Sequence, residues 1–72
     1  MLSRIYIKRV AREVLDKGPA SQFDIQDAIA EKLGRPLTPP EKRKVTQLLK
    51  RAFKIVDVRL KDGIKEYYFG RW

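Results

Sequence analysis

The chain has 72 residues, of which 17 are Lys or Arg and nine are Asp or Glu, so its net charge is +8. So short a domain has little room for an enclosed active site, which favours a binding module over an enzyme. Cysteine and histidine are both absent. This excludes disulfides, thiolate chemistry and the usual zinc sites, and it leaves only oxygen ligands for a metal ion.

The excess of bases predicts a polyanionic partner or an anionic surface. A thermophile's charged coat is the alternative, but such coats combine both signs in ion-pair networks, whereas here bases outnumber acids almost two to one. No apolar run exceeds three residues, as in Tyr67-Tyr68-Phe69. We therefore expect one soluble, cytoplasmic domain over residues 1–72, with neither a membrane span nor a signal peptide.

The first predicted helix runs from about Ser3 to Lys17 and ends at Gly18-Pro19. Its apolar stripe repeats at helical spacing, and the stripe consists of Ile7, Val10, Ala11, Val14 and Leu15. Leu2, Ile5 and Tyr6 fall off this stripe, so a single core does not account for them.

The second predicted helix has Asp24 as its N-cap, Asp27 in its first turn and Gly34 as its C-terminal stop. Its buried face is predicted to contain Ile25, Ala28, Ile29 and Leu33. The four residues before it, 20–23, are long enough for a brief additional strand between the first two helices.

The third predicted helix has the strongest local signal in the sequence. Thr38 is the predicted N-cap, Pro39 occupies the first helical position, where its missing donor costs nothing, and Glu41 completes a Thr-x-x-Glu capping box. We expect this helix to extend from residue 39 to about residue 54.

After Lys54 the apolar residues alternate, and Asp62-Gly63 is the dipeptide preferred by a two-residue type I′ hairpin turn. That turn predicts one face with an opposite-charge pair, Arg59 with Glu66, and another with the apolar residues Val56, Val58, Leu60, Tyr67 and Phe69. The predicted cross-strand pairs are Lys61–Ile64, Leu60–Lys65, Arg59–Glu66, Val58–Tyr67, Asp57–Tyr68 and Val56–Phe69.

In this order of elements the chain resembles the winged helix-turn-helix family over nearly its whole length. The resemblance is carried by Asp24-Ile25-x-x-Ala28-Ile29 and Leu33-Gly34 in the second helix, by Val45-Thr46-x-Leu48-Leu49-Lys50-Arg51-Ala52 in the third, and by Val58-x-Leu60-x-Asp62-Gly63-x-x-x-Tyr67-x-Phe69 in the hairpin. It implies an α+β fold of three helices followed by a two-stranded wing, with the third helix in the major groove of DNA and the wing on phosphates or the minor groove. The Asp62-Gly63 loop is too short for deep minor-groove contact.

The distribution of charge agrees with this expectation. Residues 1–18 carry +3, residues 19–37 carry −1, residues 38–54 carry +5 and residues 55–72 carry +1. Opposite the apolar stripe of the third helix stand Arg43 and Gln47, which suit guanine and adenine edges, with Thr46 on one flank. These three are the predicted base readers, although a solvated helix face is the alternative interpretation.

Flexible basic side chains suit phosphates, because a point charge attracts the backbone without discriminating bases. The predicted phosphate contacts are Lys42, Lys44, Lys50, Arg51 and Lys54 on the third helix, Arg9 and Arg12 on the first, and Arg59, Lys61 and Lys65 in the hairpin. In the second helix, Asp27 and Glu31 should face away from DNA.

Four apolar residues near the two ends are left over: Leu2, Ile5, Tyr6 and Trp72. Either the termini pack on each other, or these residues form a homodimer or partner surface. No catalytic motif, cofactor or small-molecule ligand is indicated. We expect a transcriptional regulator that binds double-stranded DNA in the cytoplasm, nucleoid or nucleus. A winged-helix module that binds another protein is the rival, and RNA or single-stranded binding would have Tyr68 as its one exposed stacking platform.

Overall fold

The computed structural model describes residues 2–71. Its elements are α1 (Arg4–Leu15), β1 (Ala20–Ser21), α2 (Gln22–Leu33), α3 (Pro39–Ala52), β2 (Lys54–Lys61) and β3 (Ile64–Gly70). The strands form one antiparallel sheet in the order β1-β3-β2. The predicted α+β class with three helices is confirmed. The sheet has three strands, because Ala20 pairs with Phe69 and Ser21 with Tyr68 next to the predicted hairpin.

Ser3 is the N-cap of helix α1, and its hydroxyl accepts a hydrogen bond from the Tyr6 N–H at 3.1 Å. The buried residues of this helix are Ile7, Val10, Ala11 and Leu15. Leu2 is also in the core, with 4% of its surface exposed. Helical periodicity did not predict the burial of Leu2, because this residue precedes the helix. Tyr6 packs half-buried against the core, whereas Ile5 is 73% exposed.

Helix α2 begins three residues earlier than predicted, and the predicted N-cap, Asp24, is wrong. Ser21 is the N-cap. Its hydroxyl accepts from the Asp24 N–H, and the Asp24 carboxylate accepts from the Ser21 N–H, both at 3.2 Å. This reciprocal pair is a capping box that satisfies two backbone donors at the start of the helix. Gly34, with φ of 73°, ends the helix in the left-handed conformation, as predicted.

The core lies between the three helices and β3. Its most deeply buried side chains come from every helix and from the last strand: Ile7, Val10, Ile25, Ile29, Val45, Leu49 and Phe69. Helix α3 starts after Thr38, with proline in its first turn as predicted, but it ends at Ala52. The helix ends there because Phe53 turns into extended backbone and buries its ring in the core. Lys54 is therefore the first residue of β2 and not the last of α3.

The hairpin turn has Asp62 at φ of 53° and Gly63 at φ of 77°, as a type I′ turn requires. The predicted cross-strand pairs from Lys61–Ile64 to Asp57–Tyr68 are confirmed. The pair Val56–Phe69 is wrong, because a bulge at Val56 brings Ile55 opposite Phe69. Only Phe69 of the predicted apolar face is fully buried, since the rest of the hairpin extends beyond the core.

Candidate nucleic-acid interface

Helix α3 presents an exposed ridge opposite its buried residues Val45, Leu48 and Leu49. Arg43 and Gln47 are exposed on this ridge one helical turn apart. Within residues 2–71, no intrachain hydrogen bond or ion pair engages either side chain. Both side chains therefore have their full hydrogen-bonding capacity for an external ligand.

The N-terminus of α3 is fixed by a second charged residue that the sequence did not single out. Arg35 donates from Nη1 and Nη2 to the two carboxylate oxygens of Glu41, at 2.8 and 2.9 Å. The same carboxylate accepts from the N–H and the hydroxyl of Thr38, at 3.0 and 3.1 Å. The Arg35 guanidinium, followed by the Thr38 N–H, lowers the pKa of Glu41 from 4.5 to about 2. The only acid of α3 is thus neutralised by an ion pair beside the basic ridge.

Gln26 joins α2 to α3. Its side chain is buried, with 8% of the residue exposed. The Nε2 group donates to the Thr46 hydroxyl at 3.1 Å and to the Lys42 carbonyl at 3.3 Å. Thr46, a predicted base reader, is therefore half-buried, and one acceptor site of its hydroxyl is occupied. The hydroxyl proton can still be donated outward. The sequence signal for Gln26 was its place directly beside Ile25 on the inward side of α2.

Lys44, on the other flank of α3, makes a contact within the fold. Its ammonium donates to the Leu2 carbonyl at 2.6 Å, and its side chain is half-buried. This contact holds the segment before α1 against α3. Lys44 keeps two further donors for an anion, because an ammonium has three.

A basic cleft lies between α1 and α3. Its walls consist of Arg4 and Lys8 from α1 and of Lys44, Gln47, Leu48, Arg51 and Ala52 from α3. Arg9 and Arg12 were the predicted phosphate contacts on this helix. Both are exposed, but neither is part of the cleft. The difference follows from the helix: Arg4 and Lys8 flank the apolar stripe and so lie beside α3, whereas residues opposite the stripe point away from it.

A second cleft lies on the opposite flank, between the start of α2 and α3. It is lined by Gln22, Phe23, Gln26, Lys42, Arg43, Thr46 and Gln47. The Oε1 atom of Gln22 is buried and accepts no hydrogen bond from residues 2–71. Gln47 lines both clefts. The exposed ridge of α3 therefore stands between two grooves, with basic side chains in each.

Two cations on the hairpin side of the surface lie against aromatic rings. Lys50 of α3 places its ammonium 4.6 Å from the centroid of the Tyr67 ring. Arg59 donates to the Asp57 carboxylate at 2.8 Å and lies 5.4 Å from the centroid of the Tyr68 ring. Arg59 and Glu66 are opposite each other in register, as predicted, but the ion pair of Arg59 is with Asp57 and not with Glu66.

Glu66 accepts a hydrogen bond from the Tyr68 hydroxyl at 3.1 Å, which raises the pKa of that hydroxyl. Tyr68 is half-buried and has Arg59 beside its ring, so it is a poor stacking platform. Lys61 and Lys65 are exposed next to the turn. The hairpin therefore offers cations near its tip.

Of the four apolar residues predicted as a partner surface, the three that the structure describes do not lie together on the outside. Leu2 is buried in the core and Tyr6 is half-buried, which leaves Ile5 as the exposed apolar side chain of the group. Trp72 lies outside the described residues. The predicted acidic surface of α2 is present, with Asp27 and Glu31 both exposed.

None of the helices between residues 2 and 71 has both the length and the apolar character needed to cross a membrane. Across the same residues, no group of three or more acidic side chains is placed to hold a metal ion. Comparison of the chain with protein-family models, with curated proteins and with solved structures gave no match.

Proposed function

We propose that the chain is a winged helix-turn-helix protein that binds double-stranded DNA and regulates transcription. Helix α3 enters the major groove, and the β2–β3 hairpin acts as a wing on adjacent phosphates. The observation that carries this proposal is the exposed ridge of α3 with Arg43 and Gln47 unengaged between two basic grooves. The B-DNA major groove is about 12 Å wide and admits one α-helix, and the phosphate backbones then lie on both sides of that helix.

The exposed ridge of α3 recognises the bases. Arg43 can donate both of its terminal nitrogens to guanine O6 and N7, and Gln47 can bond N6 and N7 of adenine. Thr46 contributes only the proton of its hydroxyl, because Gln26 already donates to its oxygen. Arg43 and Gln47 are therefore the principal readers, and Thr46 is secondary.

The basic residues that line the two grooves contact the phosphates. Lys42 is on the side of α2, while Arg4, Lys8 and Arg51 line the groove beside α1. Lys50 is held beside Tyr67, and Lys54 follows it at the start of β2. Each cation that neutralises a phosphate releases condensed counterions, so these residues set affinity and its dependence on salt.

The wing contributes less than α3. Its turn consists of Asp62 and Gly63 alone, so Lys61 and Lys65 reach the backbone and not the floor of the minor groove. Asp57 forms an ion pair with Arg59 and reduces the net positive charge of the wing. The wing therefore orients the protein on DNA and carries little sequence information.

Selection of bound duplexes from a random pool at moderate salt tests the proposal. We expect enrichment of a short motif containing a guanine and an adenine in neighbouring positions, as Arg43 and Gln47 would require. Arg43→Ala should lose the guanine preference, while Lys54→Ala should retain the motif. Recovery of unenriched sequence would reduce the protein to a nonspecific binder, and failure to retain any duplex at low salt would refute DNA binding.

A further inference from the structure

Strand β2 forms an edge of the sheet and is exposed along all eight of its residues. Its exposed apolar side chains are Ile55, Val56, Val58 and Leu60, of which Val58 is 47% and Leu60 72% exposed. An edge strand that is long, apolar and uncovered is a template for pairing with another strand. Phosphate contact does not need these apolar side chains, so the proposed function leaves them unexplained.

The backbone of β2 offers hydrogen-bonding groups at this edge. With Lys61 opposite Ile64 across a two-residue turn, hydrogen-bonded and non-hydrogen-bonded pairs alternate, and Val58 falls in a non-hydrogen-bonded pair with Tyr67. The Val58 N–H therefore points away from β3. In the single chain it donates to the Asp57 carboxylate at 2.8 Å. This local contact satisfies the edge donor until a neighbouring strand replaces it.

The side chains of β2 are complementary to themselves in one antiparallel register. If two copies pair about a two-fold axis at Val58, Asp57 of each copy lies opposite Arg59 of the other. Val58 then faces Val58 on the opposite side of the sheet, and Leu60 of each copy lies on that same side. Opposite charges that face each other across strands stabilise a pair, and like charges in those positions destabilise it.

Neighbouring registers lack this complementarity. Residues opposite each other must point to the same face, so the two-fold can move only by whole residues along the strand. An axis at Asp57 would place two aspartates opposite each other, and an axis at Arg59 would place two arginines opposite each other. The arrangement of Asp57 and Arg59 around Val58 therefore selects one register and disfavours the two next to it.

We propose that β2 is the self-association edge of this protein and that two copies pair antiparallel about Val58 to form a continuous six-stranded sheet. The partner is a second copy of the same chain. In the pair, each Arg59 exchanges its bond to its own Asp57, now 2.8 Å long, for the Asp57 of the other copy. The Val58 N–H, released from Asp57, bonds to the backbone of the facing strand.

The dimer is expected to be weak. Its contact consists of a few residues from each copy, which places it below the size of standard stable interfaces. The bulge at Val56 also bends β2 at the end of the paired segment. Asp57 and Arg59 thus supply mainly the choice of register, while Val58 and Leu60 supply the apolar contact.

A charge-exchange experiment on protein without DNA tests this proposal. Asp57→Arg alone places two arginine pairs across the two-fold, and Arg59→Asp alone places two aspartate pairs there. Each variant should dimerise about tenfold or more weakly than the unchanged protein in sedimentation equilibrium. An equimolar mixture of the two variants restores both opposite-charge pairs and should dimerise as the unchanged protein does. Both variants remain basic overall, so general attraction between them cannot produce this result.

Ile5→Ser is the matched control, because Ile5 is an exposed apolar residue that belongs to α1 and not to β2. It should leave dimerisation unchanged. A monomeric unchanged protein at high concentration would overturn the proposal. So would a mixture that stays monomeric, or a dimer that persists in both single variants and is lost in Ile5→Ser. Self-association through β2 does not depend on DNA binding. Because the experiment contains no DNA, its failure would count against the dimer alone and not against the proposed DNA binding.

Discussion

Helix α3 and the β2–β3 hairpin both carry exposed cations, but the rest of the chain holds them very differently. Helix α3 is fixed at its start by the Arg35–Glu41 pair and along its flanks by Gln26 and Lys44. The hairpin is fixed at its base by Phe69, and β2 is exposed throughout. A side chain must be positioned to read a base, whereas a phosphate tolerates a flexible contact. The region anchored by these contacts therefore suits specificity, and the exposed hairpin suits affinity and association.

The largest difference between the two regions should appear in stability. Phe69→Ala removes a side chain with no exposed surface from the core and should cost about 3 to 5 kcal/mol of the free energy of unfolding. Leu60→Ala, in the same hairpin but 72% exposed, should change it by less than about 0.5 kcal/mol. Urea denaturation of the two variants measures both values. Similar losses would mean that the hairpin tip is packed in solution.

The next effect concerns DNA affinity. Arg43→Ala should cost roughly 1 to 3 kcal/mol on the preferred duplex and relax the preference at one base position. Lys50→Ala should weaken all duplexes alike and make the log-log salt slope about one unit less steep. Titration of each variant with a preferred and a scrambled duplex separates the two roles. Equal losses on both duplexes for both variants would make Arg43 a phosphate contact.

A smaller effect should reveal the link between α2 and α3. Gln26→Leu and Thr46→Val each remove the hydrogen bond between Gln26 Nε2 and the Thr46 hydroxyl. In a double-mutant cycle the two changes should be non-additive by about 0.5 to 1.5 kcal/mol in the free energy of unfolding. Additive losses would show that this bond does not couple the helices. Gln47→Leu, on the exposed ridge, serves as the control and should not couple to Gln26→Leu.

The smallest effect is a dependence of stability on pH at the start of α3. Glu41 has its pKa lowered from 4.5 to about 2 in the folded protein. The contacts that lower this pKa stabilise the folded protein when the pH is above the pKa of Glu41 in the unfolded chain. This stabilisation is lost as the pH falls from about 5 to about 2. Glu41→Gln should therefore lower Tm at pH 7 and bring the Tm of the two proteins together near pH 2. A constant difference in Tm over this range would contradict the role of the charge.

Much of the fold follows from local signals that dominate their surroundings. Thr38-Pro39 and Gly34 mark helix ends by backbone chemistry alone, and Asp62-Gly63 determines the turn and hence most of the hairpin register. The wrong predictions occur where two local signals compete or where tertiary packing decides. Ser21 and Asp24 are both good caps, and the reciprocal pair selects Ser21. The bulge at Val56 lies near the start of β2, close to the buried residues Phe53 and Phe69, and the alternation of apolar residues does not encode it.

The candidate site was less predictable than the fold. Arg43 and Gln47 could be predicted because they stand opposite a regular apolar stripe. Arg4 and Lys8 were missed, since their approach to α3 depends on how α1 packs. The contact of Lys44 with the Leu2 carbonyl joins residues 42 positions apart in sequence, and periodicity carries no information about such contacts.

The central claim, that α3 binds duplex DNA through its basic ridge, is tested most directly by measuring the binding constant of one duplex over a range of salt concentrations. We predict a straight log-log plot whose slope is about −0.9 for each phosphate contacted, with a shallower slope for Lys50→Ala. Absence of binding to any duplex at low salt would contradict it.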